Sequence, residues 1–335
     1  MSQKSPWRRL CPPLYLPYMG ARVLKQLATQ QWDNRGQAAR LERSIAKLAG
    51  VDPSWVVVTA SCRDALACCG RFLFSAGDAP ALRVCPLTFC ATYSWYQGEI
   101  TWVDCCEDGW PVGEVDVGVE LWGRPWRRLS PSTGQISHVP MPILDAAHMF
   151  RPEVHGPLLK SSEIEAVTYS FGPTKELPCW RGGALVSPLC TEEWRDWLQC
   201  KLGSGGSRKG LMQEPEAAFL MSQLPRRGKA ASSREKVLTV YEHYFGKLLV
   251  TKPGVASGHL AVLRFPDEGM TLGVKGALRR NNVEFSVHYP LPESVLGDSS
   301  LTMARSLSSR VLSLPCHAGM TPSDAVRVVR VVQSA

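Results

Sequence analysis

Runs of β-branched residues that give way at once to helix-patterned segments recur along the first two thirds of this chain, and this alternation constrains the fold more than any other feature. Trp55-Val56-Val57-Val58-Thr59 runs straight into Ser61 and an apolar helical pattern through Ala65, Leu66, Cys69, Phe72 and Leu73. Strand-like segments follow at 82–85, 100–103, 115–121, 143–145, 166–171 and 183–187, with a helical segment expected at 89–97. Such spacing predicts an α/β fold, a mainly parallel sheet with helices on both faces. Upstream, Leu41, Ile45 and Leu48 share one face of a helix over 37–48 that Gly50 ends. From Glu192 to about Leu249 helical patterns dominate. After Pro253-Gly254 the order becomes strand, helix, short strands and a last helix over 322–333, which predicts a small C-terminal α+β domain. Residues 1–35, rich in proline and aromatics and without periodicity, read as an N-terminal arm. The expected division is an arm at 1–35, a large domain at 36–249 and a small C-terminal domain at 250–335.

With 335 residues, 44% of them hydrophobic and 20% charged, the chain can bury a large core. It has no run of about 18 apolar residues and no apolar signal stretch at its start, so a soluble, cytoplasmic protein without a membrane partner is expected, in the host cytoplasm if the chain is viral. Twelve cysteines without a C-x-x-C spacing point to buried thiols rather than disulfides, and no metal site is expected. The net charge of +8 suits an anionic substrate or nucleic acid, yet the basic residues are scattered. A charged entrance would draw on Arg63, Arg124, Arg208 and Lys209.

Asp145 closes the strand Ile143-Leu144-Asp145, and Lys175 stands just past the next one, in Ser170-Phe171-Gly172-Pro173-Thr174-Lys175. A carboxylate and an amine so placed can meet the two ends of a pyridine ring, the minimum for holding pyridoxal 5′-phosphate (PLP). The carboxylate would keep the ring nitrogen protonated and the lysine would form the Schiff base. The turn at Ser61 offers backbone N–H groups and a helix N-terminus to an anion. Taken singly, a loop lysine is most often solvated and an aspartate after a strand is often a helix cap; their pairing lifts both. A PLP enzyme is expected.

Five motifs in order resemble those of the DegT/DnrJ/EryC1 family of PLP-dependent aminotransferases, which has the aspartate aminotransferase type of fold. Ser61-Cys62-Arg63-Asp64-Ala65-Leu66 is similar to the family's S-G-T-A-A-L turn, and Pro86-Leu87-Thr88-Phe89-Cys90-Ala91-Thr92 to its P-S-x-T-F-x-A-T. Asp145-Ala146-Ala147-His148 resembles D-A-A-[QH], and Ser170-Phe171 through Lys175, with Gly182-Gly183 behind, resembles S-F-x-x-x-K followed by G-G. His288-Tyr289-Pro290 and Leu314-Pro315-Cys316-His317 are similar to its C-terminal landmarks. The resemblance implies that Lys175, Asp145 and His148 are catalytic. It also implies that Cys62 and Arg63, through their backbone N–H groups, and Ser170, through its hydroxyl, hold the phosphate, while Phe89 stacks on the ring. His148 would lie near the ring's phenolic oxygen or the substrate. A homodimer is implied as well, with the arm and the 203–210 loop reaching across it.

Three departures accompany the likeness. Cys62-Arg63 stands where relatives have Gly-Thr, placing a positive charge beside the expected phosphate. Glu120 stands where H-x-x-G-x-P has histidine, and the 203–210 loop lacks the usual asparagine. The leading expectation is a PLP-dependent aminotransferase working through Lys175 on a small-molecule amine and an acceptor, often a nucleotide-linked keto sugar. The alternative is a PLP-dependent decarboxylase acting on an amino-acid-modified nucleobase, as in thymidine hypermodification of bacteriophage DNA, with DNA or a modified nucleotide as partner. A non-catalytic relative is the third reading, and the presence of Lys175 argues against it.

Overall fold

The computed structural model describes residues 36–74, 81–130, 132, 134–137, 141–200, 210–256 and 259–335. The arm expected at 1–35 and the glycine-rich loop up to residue 209, with Arg208 and Lys209, lie outside the described residues.

Helix α1 (Gly36–Ala49) leads into strand β1 (Val56–Thr59), helix α2 (Cys62–Leu73) and the parallel strands β2 (Leu82–Val84) and β3 (Ile100–Trp102). After β4 (Val117–Val119) come a short antiparallel pair, β5 (Arg128–Leu129) and β6 (Ile136–Ser137), then β7 (Met141–Asp145), helix α3 (Pro152–Lys160), β8 (Ile164–Ser170) and β9 (Gly183–Val186). The central sheet has the order β1-β9-β8-β7-β4. Strands β4, β7 and β8 pair in parallel, whereas β9 runs antiparallel to both β8 and β1, so four of the five share one direction. A backbone hydrogen bond from Asp116 N–H to the Arg83 carbonyl, 2.9 Å, sets the β2–β3 pair beside β4.

Every residue of β1 is buried, as helices on both faces of a sheet require. Because successive side chains point to opposite faces, Val56 and Val58 join the core under α1, whereas Val57 joins the core under α2. Helix α5 (Glu214–Gln223) completes the first layer and α4 (Glu192–Cys200) the second. Each fully buried valine contributes about 1.5–3 kcal/mol to holding these layers together.

The rest of the chain builds its own core. Helix α6 (Arg227–Phe245) places Val237, Leu238, Tyr241 and Phe245 against the antiparallel pair β10 (Ala261–Arg264) and β11 (Val311–Leu314). Helix α7 (Glu268–Arg280) adds Val274 and Leu278, and α9 (Pro322–Gln333) adds Ala325, Val328, Val329 and Val332. The division expected at 249/250 falls just beyond a helix whose apolar contacts are with this C-terminal core.

One local expectation changes, and two helices appear that the sequence did not signal. The segment 89–97 holds only a single 3₁₀ turn, Cys90–Thr92, followed by turns. Its aromatic residues Tyr93, Trp95 and Tyr96 pack against the core under α2 without forming a helical face: Trp95 stacks on Phe74 at 6.2 Å and donates its indole N–H to the Thr92 carbonyl. Helix α3 escapes periodicity because prolines occupy its start and its interior, at Pro152 and Pro157. Helix α8 (Thr302–Arg310) escapes because only Ala304 and Leu307 are buried along it. Among the described residues no helix is long and apolar enough to cross a membrane.

Candidate active site

The C-terminal ends of β7 and β8, the start of α2 and the segment 288–289 enclose a cavity of about 460 Å³. The residues expected to be catalytic or to hold the cofactor all line it: Cys62, Arg63, Phe89, Asp145, His148, Ser170 and Lys175. A cleft beyond the carboxyl ends of parallel strands is where sheets of this kind present functional groups.

The start of α2 is fixed from two sides. Ser61 is its N-cap, accepting from the Asp64 N–H at 3.2 Å and donating to the Asp64 carboxylate at 2.6 Å. Behind it, a Cβ on Gly183 would stand 2.5 Å from the Cys62 nitrogen, so the close approach of helix to strand needs glycine there. Gly182, with φ of +131°, occupies backbone space that favours glycine as well. The turn thereby presents the first N–H groups of α2 to the cavity.

Asp145 ends β7 and is 3% exposed. Its Oδ2 accepts from the Thr92 hydroxyl at 2.7 Å, and Thr92 in turn shares a 2.8 Å hydrogen bond with Thr88. Its Oδ1 accepts from the Ala147 N–H at 3.0 Å and lies 4.0 Å from the Cys62 thiol. Burial pushes the Asp145 carboxyl above its ordinary range, while Thr92, Ala147 and the nearby Lys175 pull it back. Lys175 is pushed down by burial and held up by Asp145 and Cys62. An amine of lowered basicity is a stronger nucleophile near neutral pH.

Histidines cluster at one wall. The His148 ring stacks on Tyr289 at 5.6 Å, and its Nε2 shares a very short hydrogen bond with the Tyr289 hydroxyl. His259 and His288 lie with ring centroids 5.2 and 6.0 Å from His148. Burial, helped by Lys175, keeps all three imidazoles well below their usual pKa, with His288 lowered to about 4. His288 Nδ1 is hydrogen-bonded to Ser313 Oγ at 2.7 Å, and the His288 carbonyl accepts from the Trp122 indole at 2.6 Å. Phe89 is 54% exposed, with its ring 5.8 Å from that of Tyr289.

One departure, Glu120, and one expected entrance residue, Arg124, acquire a place. Glu120 is buried, and its Oε1 bonds His155 Nε2 at 3.1 Å, while His155 Nδ1 bonds the Tyr169 hydroxyl at 2.7 Å. Glu120 therefore belongs to a polar network beside the sheet rather than to the cavity wall. Arg124, expected at an entrance, is 7% exposed instead. Its guanidinium lies 4.1 Å from the Trp110 ring and 4.8 Å from that of Trp122, and burial lowers its pKa to about 10. The aromatic residues Trp110 and Trp122 supply the pocket that takes Arg124 away from solvent.

A sequence profile of the DegT/DnrJ/EryC1/StrS aminotransferase family matches residues 137–333. The chain belongs to this family. Its members work with PLP. Protein Rv3402c of Mycobacterium tuberculosis is 29% identical over 187 residues, covering 50% of this chain and 45% of the relative. The chain thus spans about half the length of the curated relatives it matches. Among solved structures, the putative sugar aminotransferase Spr1654 of Streptococcus pneumoniae in its PLP form is 17% identical with a TM-score of 0.76, over 97% of each chain. DesI, solved in the presence of its TDP-sugar product, is 21% identical with a TM-score of 0.75, over 98% of this chain and 92% of DesI. At these identities the structural likeness speaks for the fold alone.

For a DegT-type chain the residues present fit PLP: a buried carboxylate, a lysine of lowered basicity and a glycine-backed helix start share one cavity. Sequence reasoning assigned no part to Thr88, Thr92, His259, His288 or Tyr289. Thr88 and Thr92 sit within a motif that was legible, but their hydrogen bonds to one another and to Asp145 appear only in three dimensions. His259 lies two residues before β10 and 84 beyond Lys175 in the numbering, and no spacing rule connects the two.

Proposed function

We propose that this chain transfers an amino group from an amine donor to the keto group of a nucleotide-linked sugar. The observation that carries the reading is the meeting of Asp145, Lys175 and the α2 N-terminus in one cavity. The TDP-sugar product of DesI supports the acceptor class. The decarboxylase alternative gains no support from the family or from these relatives.

When bound, PLP supplies an electron sink that makes a proton on the amine-bearing carbon removable. Asp145 would hold a proton at the ring nitrogen, its own geometry fixed by Thr92 and the Ala147 N–H. Lys175 would anchor the cofactor through its amine and serve as the base for the proton on the amine-bearing carbon. The first N–H groups of α2, from Cys62 and Arg63, would hold the phosphate together with the Ser170 hydroxyl. Phe89 would pack against the ring. His148, oriented by Tyr289, would serve the phenolic oxygen or the substrate.

As the working form we propose a symmetric homodimer that acts on small molecules in the cytoplasm. The test is incubation of purified protein with PLP, amino acids and nucleotide-linked keto sugars, followed by mass spectrometry. A keto acid formed together with an amino sugar nucleotide is expected. Loss of carbon dioxide without a keto acid would reverse the assignment.

A further inference from the structure

Glu176, the residue directly after Lys175, is held at three points. Its Oε2 accepts from the Phe150 N–H at 2.8 Å, and its Oε1 lies 3.5 Å from Nη2 of Arg234. Nη1 of Arg234 donates to the Glu176 main-chain carbonyl at 3.3 Å. One guanidinium therefore grips the same residue by its side chain and by its backbone. Phe150 ends the segment that begins at Asp145, so the Glu176 carboxylate stands between the loop of Asp145 and the loop of Lys175. Arg234 comes from α6, whose apolar residues belong to the C-terminal core. Three pieces of chain meet at Glu176.

Stability alone does not account for this pair. The Arg234 and Glu176 side chains are only 6% and 13% exposed. Taking two charges out of water costs about as much as their attraction returns, so a well-packed apolar pair would hold the same place at least as firmly. Arg234 Nε adds to the cost, because it has no hydrogen-bond partner among the described residues. What the charges add is direction: a planar fork of donors fixes where its acceptors stand, whereas apolar side chains can slide. Lys175 needs that direction. Regular strand ends at Ser170 and resumes at Gly183, and the Lys175 N–H is bonded only within its own turn, to the Gly172 carbonyl at 3.0 Å.

We propose that Glu176 and Arg234 are positioning residues for Lys175: the pair locks the lysine's stretch of loop to α6, so that the amine meets the cofactor at a fixed place. The inference rests on the reading of Lys175 as the anchor of the cofactor. It makes the C-terminal core responsible for the accuracy of the site, although neither residue lines the cavity.

The experiment uses Arg234→Met, which keeps the stem and removes the grip, Arg234→Lys, which keeps charge without the fork, and Glu176→Gln, which keeps an acceptor for Phe150 without the charge. Each is made in the wild-type chain and again together with Lys175→Ala. PLP affinity is read by quenching of tryptophan fluorescence, and covalent capture by the adduct that borohydride leaves. With Lys175 present, Arg234→Met is expected to weaken PLP by about 10-fold, the worth of one hydrogen bond to a charged group. With Lys175→Ala the same substitution leaves PLP affinity unchanged, because only covalent capture depends on where the amine stands. Arg234→Lys recovers part of the loss, and adding Glu176→Gln to Arg234→Met weakens PLP no further, since the two act as a unit. The bond from Arg151 Nη2 to the Ala256 carbonyl, 3.3 Å, and the contact of His148 with Tyr289 keep the C-terminal core docked in all of these variants. Should Arg234→Met still fail to fold, Arg234→Lys and Glu176→Gln, which keep the volume, carry the same comparison. Equal weakening in both backgrounds would show general support of the fold and overturn the inference, as would no loss in any variant. A borohydride adduct that survives Lys175→Ala would instead overturn the reading of Lys175, and this inference with it.

Discussion

Tyr289 and His148, 141 residues apart in the chain, share a hydrogen between phenol and imidazole while their rings lie stacked 19° from parallel. The contact joins the segment after the C-terminal core's first strand to the motif that carries Asp145. Replacing Tyr289 by Phe keeps the stack and removes only the hydroxyl, so His148 loses its orientation without loss of packing. Turnover is expected to fall about 10-fold, the worth of one strong buried hydrogen bond. Steady-state kinetics with an unchanged melting temperature would check it; unchanged turnover would mean that stacking alone positions His148.

Lys175 is expected to carry the cofactor covalently. Purified protein with PLP should show a visible absorbance band that borohydride bleaches, leaving the reduced adduct on Lys175 in a peptide map. Lys175→Ala should show neither. An adduct on another lysine would remove Lys175 from the centre of the proposed function.

Asp145 and its hydroxyl partner should differ in degree. Asp145→Ala removes the counter-charge of the ring nitrogen, and turnover is expected to drop about 100-fold or more, as for other charge-stabilising groups. Thr92→Val leaves the carboxylate in place without its 2.7 Å donor, and a loss of about 10-fold is expected. Equal losses in both variants would show that Thr92, not the charge, limits the reaction.

The neutral histidines make a pH prediction. The folded-state pKa of His288, about 4, lies below its ordinary value of 6.5, so between these limits the unfolded chain binds more protons than the folded one. Stability from this group is therefore full above pH 6.5 and is lost as pH falls toward 4. His148 and His259 shift in the same direction. Urea midpoints measured across this range should fall less steeply in His288→Gln than in wild type. Parallel curves would contradict the burial argument.

Gly183→Ala places a methyl group where 2.5 Å separates it from the Cys62 nitrogen. Overpacking of this kind costs about 1–3 kcal/mol, and PLP affinity should fall with stability because the helix start is displaced. Thermal unfolding and cofactor titration on the same variant would show whether the two losses travel together.

Much of this site was legible because its chemistry lies at places that sequence marks well: Asp145 and Lys175 follow β-branched runs, and Ser61 is a cap residue at a strand-to-helix turn. What escaped depends on contacts between distant segments. Thr92 reaches Asp145 across 53 positions, and His259 and His288 meet His148 only after the C-terminal core has folded against the sheet. Charge was misleading for the same reason. Arg124 reads as a solvated cation until Trp110 and Trp122, on separate turns, close over it. Helix α3 was hidden by its own prolines, and the aromatic segment at 89–97 by tertiary packing that overrode local pattern.

The glycine pair at 182–183 has a consequence for how such a protein changes over time. Because the neighbouring strand sets the position of the α2 amides, the side chain at 63 is open to change while the anion seat stays where it is, whereas Cys62 is held in the core against Asp145 and Thr168. One layer of the site is thereby inherited as backbone, and the layer above it is open to selection for a different substrate.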